Sequence, residues 1–204
     1  MDLATRKLED DELTVASKLL ARAFVDDPVI GHYLDDPDRK MVALPSFFEG
    51  ILAELLPSRQ TFATVSGNDV VGVAAWVPPN PTPPDESALA HAHRTRLVVL
   101  ESFPHGAPAM FEGFASLEAL HPPEPHWYLA FVGIEPGLQG AGLGRRLLAP
   151  ALRVADETAT SYYLETPFPR SHSFYEGLGF ARYGEYHPFD GCPSGVVAFI
   201  RRPR

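Results

Sequence analysis

Gln139-Gly140-Ala141-Gly142-Leu143-Gly144-Arg145 is the stretch on which the fold turns. It follows a near-continuous apolar run, Trp127 to Ile134, which suits a strand covered on both faces, and the turn Glu135-Pro136-Gly137-Leu138. It opens a helical period over Gln139 to Asp156, with Leu143, Leu147, Leu148, Ala151, Leu152 and Ala155 on one side and Pro150 placed to remove one backbone hydrogen bond. Glycines at a strand-to-helix junction clear away the side chains that would block a phosphate, and they let backbone N–H groups point at it. The helix N-terminus adds partial positive charge, and Arg145 and Arg146 can add full charges. Physically this is a pyrophosphate cradle. A Walker loop needs G-x-x-x-x-G-K-S/T, but no lysine follows these glycines; the dinucleotide fingerprint needs G-x-G-x-x-G, but here the run is G-x-G-x-G.

Downstream, Ser161 to Glu165 predicts a strand, and Ser171 to Leu178 a short helix closed by Gly179. Two further strands are expected near Ala181–Tyr186 and Val196–Arg201. Upstream, apolar spacing predicts helices over Asp10 to Phe24, Val29 to Leu34 and Met41 to Leu56, with Asp26-Asp27-Pro28 and Asp35-Asp36-Pro37-Asp38 as breaks. Gln60 to Val65 and Val70 to Val77 around Ser66-Gly67-Asn68-Asp69 read as a hairpin. Proline-rich Pro78 to Pro84 is a loop leading into a helical pair, Ser87 to Phe103 and Ala107 to Leu120, which Pro122-Pro123-Glu124-Pro125 ends. Strands alternating with helices imply an α/β layout, and without a long linker or an internal repeat the 204 residues form one domain.

Seventeen Lys+Arg against 26 Asp+Glu leave a formal charge of −9 with no basic run, which disfavours nucleic acid and anionic membranes as partners. No stretch approaches the roughly 18 apolar residues of a membrane span. The N-terminus, Met1-Asp2-Leu3-Ala4-Thr5-Arg6-Lys7, lacks a signal-peptide segment and implies a cytoplasmic protein, as does a single cysteine, Cys192, expected to be an inert surface thiol. The eight histidines include His91 with His93 and His121 with His126, but no cysteine joins them at ligand spacing, so no metal site is expected.

Gln139, Gly142 and Gly144 fill the fixed places of the pattern Q/R-x-x-G-x-G/A, which resembles the acetyl-CoA loop of the GCN5-related N-acetyltransferase (GNAT) family. Val132-Gly133-Ile134 before Pro136 looks like that family's splayed strand, Leu164-Glu165-Thr166 like the end of the next strand, and Phe174-Tyr175-Glu176 with Gly179-Phe180 like its C-terminal helix and following strand start. Phe24 to Pro37, His126 to Gly144 and Leu164 to Phe180 are similar to puromycin N-acetyltransferase and its relatives; the similarity covers most of the chain and thins between Pro78 and Leu120. The resemblance implies a single-domain GNAT fold: a mixed, mostly antiparallel central sheet, splayed at the acetyl-CoA site and flanked by helices. Residues 1–120 would then carry acceptor-pocket elements, 126–180 the acetyl-CoA core and 181–204 the C-terminal strands.

It also implies an acetyl-CoA-dependent N-acetyltransferase acting on a small-molecule primary amine by direct attack in a ternary complex, and possible homodimers. Cofactor contacts would come from Val132, Gly133, Ile134, Gln139, Gly140, Ala141, Gly142, Leu143, Gly144, Arg145, Ser171 and Phe174. Backbone N–H groups of Val132 to Ile134 are candidate oxyanion donors, and Val132 and Ile134 candidate strand-like partners of the pantetheine amides. Ser171 stands where many family members carry a cofactor-touching asparagine. Tyr175 matches the general acid that protonates the leaving thiolate; its plain alternative is a packing tyrosine. Glu165 is a candidate base and otherwise a carboxylate bonded to the splayed strand; Glu135, His126 and water chains are the other candidates. Asp35, Asp36 and Asp38 read as a solvated turn or a steering patch for a cation, and Trp76, Phe47, Phe48, Phe111 and Phe114 as core, one or two of them facing the acceptor. Two other functions remain open: acetylation of a protein N-terminus or lysine, which needs a shallower groove, and a non-catalytic acyl-CoA sensor, for which Tyr175 would turn away.

Overall fold

The structure, a computed structural model, describes residues 3–203; Met1, Asp2 and Arg204 lie outside the described residues, as does the side chain of Ala155, the last apolar position of the helical period that opens at Gln139. The chain runs β1 (Leu3–Lys7), α1 (Leu13–Ala23), α2 (Pro28–Tyr33), α3 (Pro37–Leu55), β2 (Thr61–Ser66), β3 (Asp69–Val77), α4 (Glu86–Ser102), α5 (Gly106–Leu117), β4 (His126–Ile134), α6 (Leu143–Thr158), β5 (Ser161–Thr166), α7 (His172–Glu176), β6 (Ala181–Tyr186) and β7 (Val196–Arg201). The seven strands form one sheet in the order β1-β2-β3-β4-β5-β7-β6. Its pairs are antiparallel apart from β4 with β5.

The two sheet faces carry separate cores. Ala63, Val73 and Ala75 pack under Leu19 and Leu20 of α1, Phe47 and Phe48 of α3, and Met110 of α5. Trp76, Leu129, Tyr162, Leu164 and Phe199 pack under Leu147, Leu148 and Ala151 of α6 and Tyr175 of α7. Alternation along the strands divides the two sets. Full burial of one such aliphatic side chain is worth about 1.5–3 kcal/mol, which is why the near-continuous apolar runs become central strands. The mixed, mostly antiparallel sheet flanked by helices is the one implied by the residues around Gly142.

Several boundaries differ from the sequence reading. The N-terminal run forms an edge strand, β1, paired with β2 from Leu3↔Ser66 to Lys7↔Phe62; mixed polar and apolar residues gave it no clear period. The helix expected from Gln139 starts at Leu143, because Gly140 and Gly142 adopt φ +80° and +79°, a left-handed backbone that ends helical continuity; the helix then runs through Pro150. Asp10–Glu12 is a 3₁₀ turn before α1. Asp36 caps α3 by accepting from the N–H of Arg39 at 3.0 Å, so the helix begins at Pro37 inside the expected acidic turn, and Asp35 and Asp38 stay exposed. Cys192 is buried, 8% exposed, because Phe189-to-Cys192 folds back onto the α2–α5 core. Contrary to the expectation for membrane spans, Pro37–Ser58 is long and apolar enough to cross a membrane, with mean hydropathy 1.3. In the fold Leu44, Phe47, Phe48 and Leu52 of that segment are core residues.

Candidate active site

The sheet opens where β4 leaves β5. Their parallel pairing covers only His126↔Ser161, Trp127↔Tyr162 and Tyr128↔Tyr163. On the other edge the β3–β4 register slips between Ala75↔Phe131 and Trp76↔Leu129, leaving Ala130 as an extra residue. Such a bulge bends and twists its strand, and the strands part immediately beyond it. The N–H of Glu135 bonds the carbonyl of Val71 at 3.0 Å. The strand's period of two therefore turns the backbone groups of Val132 and Ile134 to the open edge and those of Gly133 to β3. Gly133 has another use: a Cβ there would lie 2.8 Å from Leu20 Cδ2 and 3.0 Å from Ala23 Cβ, so its small size lets α1 lie on β4. Of the three expected strand contacts, Gly133 thus presents no backbone donor to the gap.

A cleft of about 550 Å³ fills the gap, and every residue expected to touch the cofactor except Ala141 lines it. The glycines divide the work. Around Gly140 and Gly142 a Cβ would meet nothing within 4 Å, so their backbone is open to a ligand as well as left-handed. Gly144 instead admits a ring, since a Cβ there would sit 3.1 Å from Phe174 Cζ. This loop, at the N-terminus of the 16-residue α6, fits a pyrophosphate. The Gln139 side chain donates to the Ile134 carbonyl at 3.1 Å, tying the loop to the strand end. Arg145 lines the cleft while donating to the Gly177 carbonyl at 3.2 Å; Arg146 turns away and donates to the Leu3 carbonyl. Ser171 lines the cleft at the start of α7 and makes no side-chain cap bond.

Tyr175 and Glu165 enter the cleft from opposite faces of the sheet. Tyr175 is 6% exposed, its ring 5.2 Å from that of Phe174 and 5.9 Å from that of Phe199. Tyr175 thus packs in the core and also lines the cleft; among the described residues its hydroxyl has no hydrogen-bond partner, and burial pushes the phenol above its ordinary value. Glu165 sits two residues after Tyr163 on β5, hence on the same face, with its side chain only 4% exposed. Burial raises its carboxyl from 4.5 to about 7, against the opposing pull of the Tyr163 and Tyr128 phenols that face it. A carboxyl held near neutrality can exchange a proton in either direction at physiological pH. Glu135, the other carboxylate considered, is bound to Arg22 at 2.7 Å.

Four residues come to the site that the sequence reading did not place there. Asp27 caps α2 through bonds of 2.9 Å to the N–H groups of Val29 and Ile30; burial raises it to about 6 despite them, and it lines the cleft. Tyr128 and Tyr163 flank Glu165, and the Tyr-x-Glu spacing on β5 was the available signal. His121, read only as one of a histidine pair, lies with Nε2 3.5 Å from Glu165 Oε1. Of the aromatic candidates, Trp76, Phe47 and Phe48 are core; Phe114 lines the cleft, and Phe47, Phe111 and Phe114 line an adjoining cavity of about 370 Å³. Among the described residues no group of three or more His, Cys, Asp or Glu is arranged to hold a metal ion.

Residues 110–180 match the model of the Acetyltransferase (GNAT) family. An uncharacterized N-acetyltransferase of Schizosaccharomyces pombe is 24% identical over 213 residues, covering 98% of this chain and 84% of that protein. The fold matches a Corynebacterium glutamicum crystal structure described as histone acetyltransferase HPA2 and related acetyltransferase, with TM-score 0.71 and 24% identity over 100% of this chain and 98% of that one. It also matches the polyamine N-acetyltransferase of Drosophila melanogaster, which forms N-acetylagmatine, with TM-score 0.64 and 16% identity over 98% of this chain and 100% of that one.

Proposed function

We propose, for a chain that belongs to the GNAT acetyltransferase family and is an acetyl-CoA-dependent N-acetyltransferase, that the acceptor is the primary amine of a small molecule, attacking the thioester directly in a ternary complex. The observation that carries the reading is a single cleft with the glycine loop at one end and Glu165 and Tyr175 on opposite walls. Gln139 to Gly144 hold the pyrophosphate, and the open edge of Val132 and Ile134 pairs with the pantetheine amides and meets the oxyanion. An ammonium of ordinary pKa about 10.4 must lose a proton before it attacks, and Glu165 takes it. Tyr175 keeps its proton at neutral pH and offers it to the thiolate as the C–S bond breaks.

Three features support a small, cationic acceptor. Phe114 and Leu117 of α5 close one side of the cleft, which suits a small ligand better than a shallow groove would. Asp27 and Glu165 line it, in a protein of formal charge −9, so a cation is attracted at long and short range. The Drosophila enzyme, similar in fold, acts on polyamines. An acyl-CoA sensor without turnover is disfavoured because Tyr175 lines the cleft and its hydroxyl is committed to no hydrogen bond among the described residues.

The test is calorimetric titration with acetyl-CoA, with NAD and ATP as controls, followed by thiol-release assays with a panel of puromycin, spermidine and agmatine. Puromycin comes first because Phe24 to Pro37 and Leu164 to Phe180 resemble its acetyltransferase. Micromolar binding of acetyl-CoA only, and thiol release with an amine, are expected; acetyl-CoA binding without thiol release from any amine would overturn the acceptor class. Tyr175→Phe should lower turnover about ten- to a hundredfold and leave acetyl-CoA affinity within about twofold, since the ring packing is retained. Equal loss of binding would remove Tyr175 from the acid role.

A further inference from the structure

We propose that His121 and His126 form a proton relay that carries the proton taken by Glu165 out of the cleft to solvent on the far side of Tyr128. The proposal rests on the reading of Glu165 as the base. Glu165 lines the catalytic cleft, whereas His121 and His126 line a second depression of about 540 Å³. Tyr128, Phe114 and Leu117 line both and form the wall between them. Once acetyl-CoA and an acceptor fill the first cleft, a buried base has no water there to which it can return its proton. The histidine pair connects it to the second depression.

The polarity of the pair follows from one backbone carbonyl. His126 Nδ1 lies 2.8 Å from the Glu124 carbonyl oxygen. A carbonyl can only accept, so in the neutral ring Nδ1 carries the hydrogen and Nε2 a lone pair. That lone pair faces His121 Nδ1 at 3.2 Å, so His121 donates from Nδ1 and its own Nε2 is unprotonated. His121 Nε2 in turn lies 3.5 Å from Glu165 Oε1. Both atoms are buried, and neither has a hydrogen-bond partner among the described residues. A lone pair opposite an ionised carboxylate oxygen is repulsive, but the same contact becomes a hydrogen bond when Glu165 gains a proton. The site is thus arranged to draw a proton from Glu165 toward His121.

Each transfer balances. The Glu165 O–H bond breaks as His121 Nε2–H forms, and the Glu165 carboxylate is restored. The Nδ1 proton of His121 moves to His126 Nε2, and water at the second depression takes the Nδ1 proton of His126. Both rings then carry their hydrogen on Nε2, and a return of each ring to the Nδ1–H form resets the chain before the next turnover. One proton enters and one leaves. The rings of Tyr128 and Tyr163 hold His121 in place, with centroids 4.4 and 4.8 Å away. The Tyr163 hydroxyl donates to the Leu120 carbonyl at 3.1 Å and so anchors the residue before His121. The titratable groups facing the path are Glu165, Tyr128 and Tyr163, with Tyr183 and Tyr186 of β6 beside Tyr163, and Glu118 and Glu124 where it reaches the second depression. Burial and the neighbouring His126 lower His121 to about 4, against about 7 for Glu165. The protonated ring is therefore a minor species by about a thousandfold. A hop through such a species remains fast beside enzyme turnover of about 1–10³ per second.

Two measurements test the relay. Nitrogen-15 NMR of the imidazoles should show the Nδ1–H tautomer for both His121 and His126 at pH 8; an Nε2–H tautomer at His121 would overturn the polarity and the relay with it. His121→Gln and His126→Gln are then assayed by thiol release with the amine panel above, after circular dichroism confirms folding. Each should lose about tenfold or more in kcat with KM for the amine within about twofold, and millimolar free imidazole should restore part of the His126→Gln loss. Variants matching the wild-type kcat, or losses that imidazole leaves unmoved, would overturn the relay. The underlying reading fails differently: there, Glu165→Gln itself would turn over normally.

Discussion

Gly142→Trp is expected to abolish acetyl-CoA binding, raising the dissociation constant by at least a hundredfold in calorimetry. Two effects act together. Gly142 holds φ +79°, a conformation that costs an L-residue about 1–2 kcal/mol. Its missing side chain also leaves open space beside the loop, with nothing within 4 Å of an added Cβ, and an indole placed there occupies the room a pyrophosphate needs. Gly67→Ala in the β2–β3 turn separates the two. That position also has positive φ, +60°, and open surroundings, but it lies outside the cleft. It should lower the melting temperature and leave acetyl-CoA affinity unchanged. Undiminished binding by Gly142→Trp would remove the loop from the cofactor site.

Glu165→Gln should cost about a hundred- to a thousandfold in kcat, the range for loss of a general base, while acetyl-CoA affinity holds. In the wild type kcat should rise through about pH 7, where the Glu165 carboxyl ionises, and that limb should vanish in the variant. Stability should move the opposite way. A carboxyl whose folded value lies above its unfolded one stabilises the fold only while protonated. For Glu165 that contribution is complete below about pH 4.5 and is lost as the pH rises to about 7, because an ionised carboxylate must then stay buried. The variant should therefore match the wild type at pH 4.5 and exceed it at pH 8, by at most about 3 kcal/mol. Urea melts at the two pH values measure this. A variant less stable than the wild type at pH 8 would mean that the carboxylate is well solvated by its tyrosines and is not strained in its buried site.

The gain in stability and the loss of turnover have one cause. Burial beside His121, Tyr128 and Tyr163 makes ionised Glu165 costly, and the same cost keeps its proton affinity near neutrality. Asp27 repeats the pattern, raised to about 6 at the cleft wall while still capping α2. Carboxyls left in this state are poorly suited to holding a fold together and well suited to receiving a cationic amine.

Local chemistry made much of the molecule readable. Gly140 and Gly142 follow a long apolar strand and precede a helical period, and that order gives the strand, the cradle and the family resemblance, while the left-handed turn of the two glycines emerges only in the fold. The apolar run Trp127 to Ile134 reads as a strand, and it becomes β4, half-buried along the cleft; Gly67-Asn68 between two β-rich runs reads as a hairpin turn. Tyr175 was marked by its place beside Phe174. These features depend on residues within a few positions of one another, so a linear pattern carries them.

What the pattern could not carry depends on pairing across distance. Strand β1 exists because β2 offers it an edge, not because of its own period. The bulge at Ala130 that opens the cleft is a mismatch between β3 and β4 and is invisible in either strand by itself. Gly133 lines the cleft, and its small size also serves the approach of α1, which no local pattern shows. His121 and Glu165 are 44 positions apart, and only packing of the turn after α5 against β5 brings their unsatisfied atoms to 3.5 Å. The sequence determined the cradle and the order of elements, because glycine freedom and hydrophobic period are local properties. The tertiary structure decided which carboxylate is buried, which glycine packs and where a proton can leave, because desolvation and contact arise only when distant segments meet.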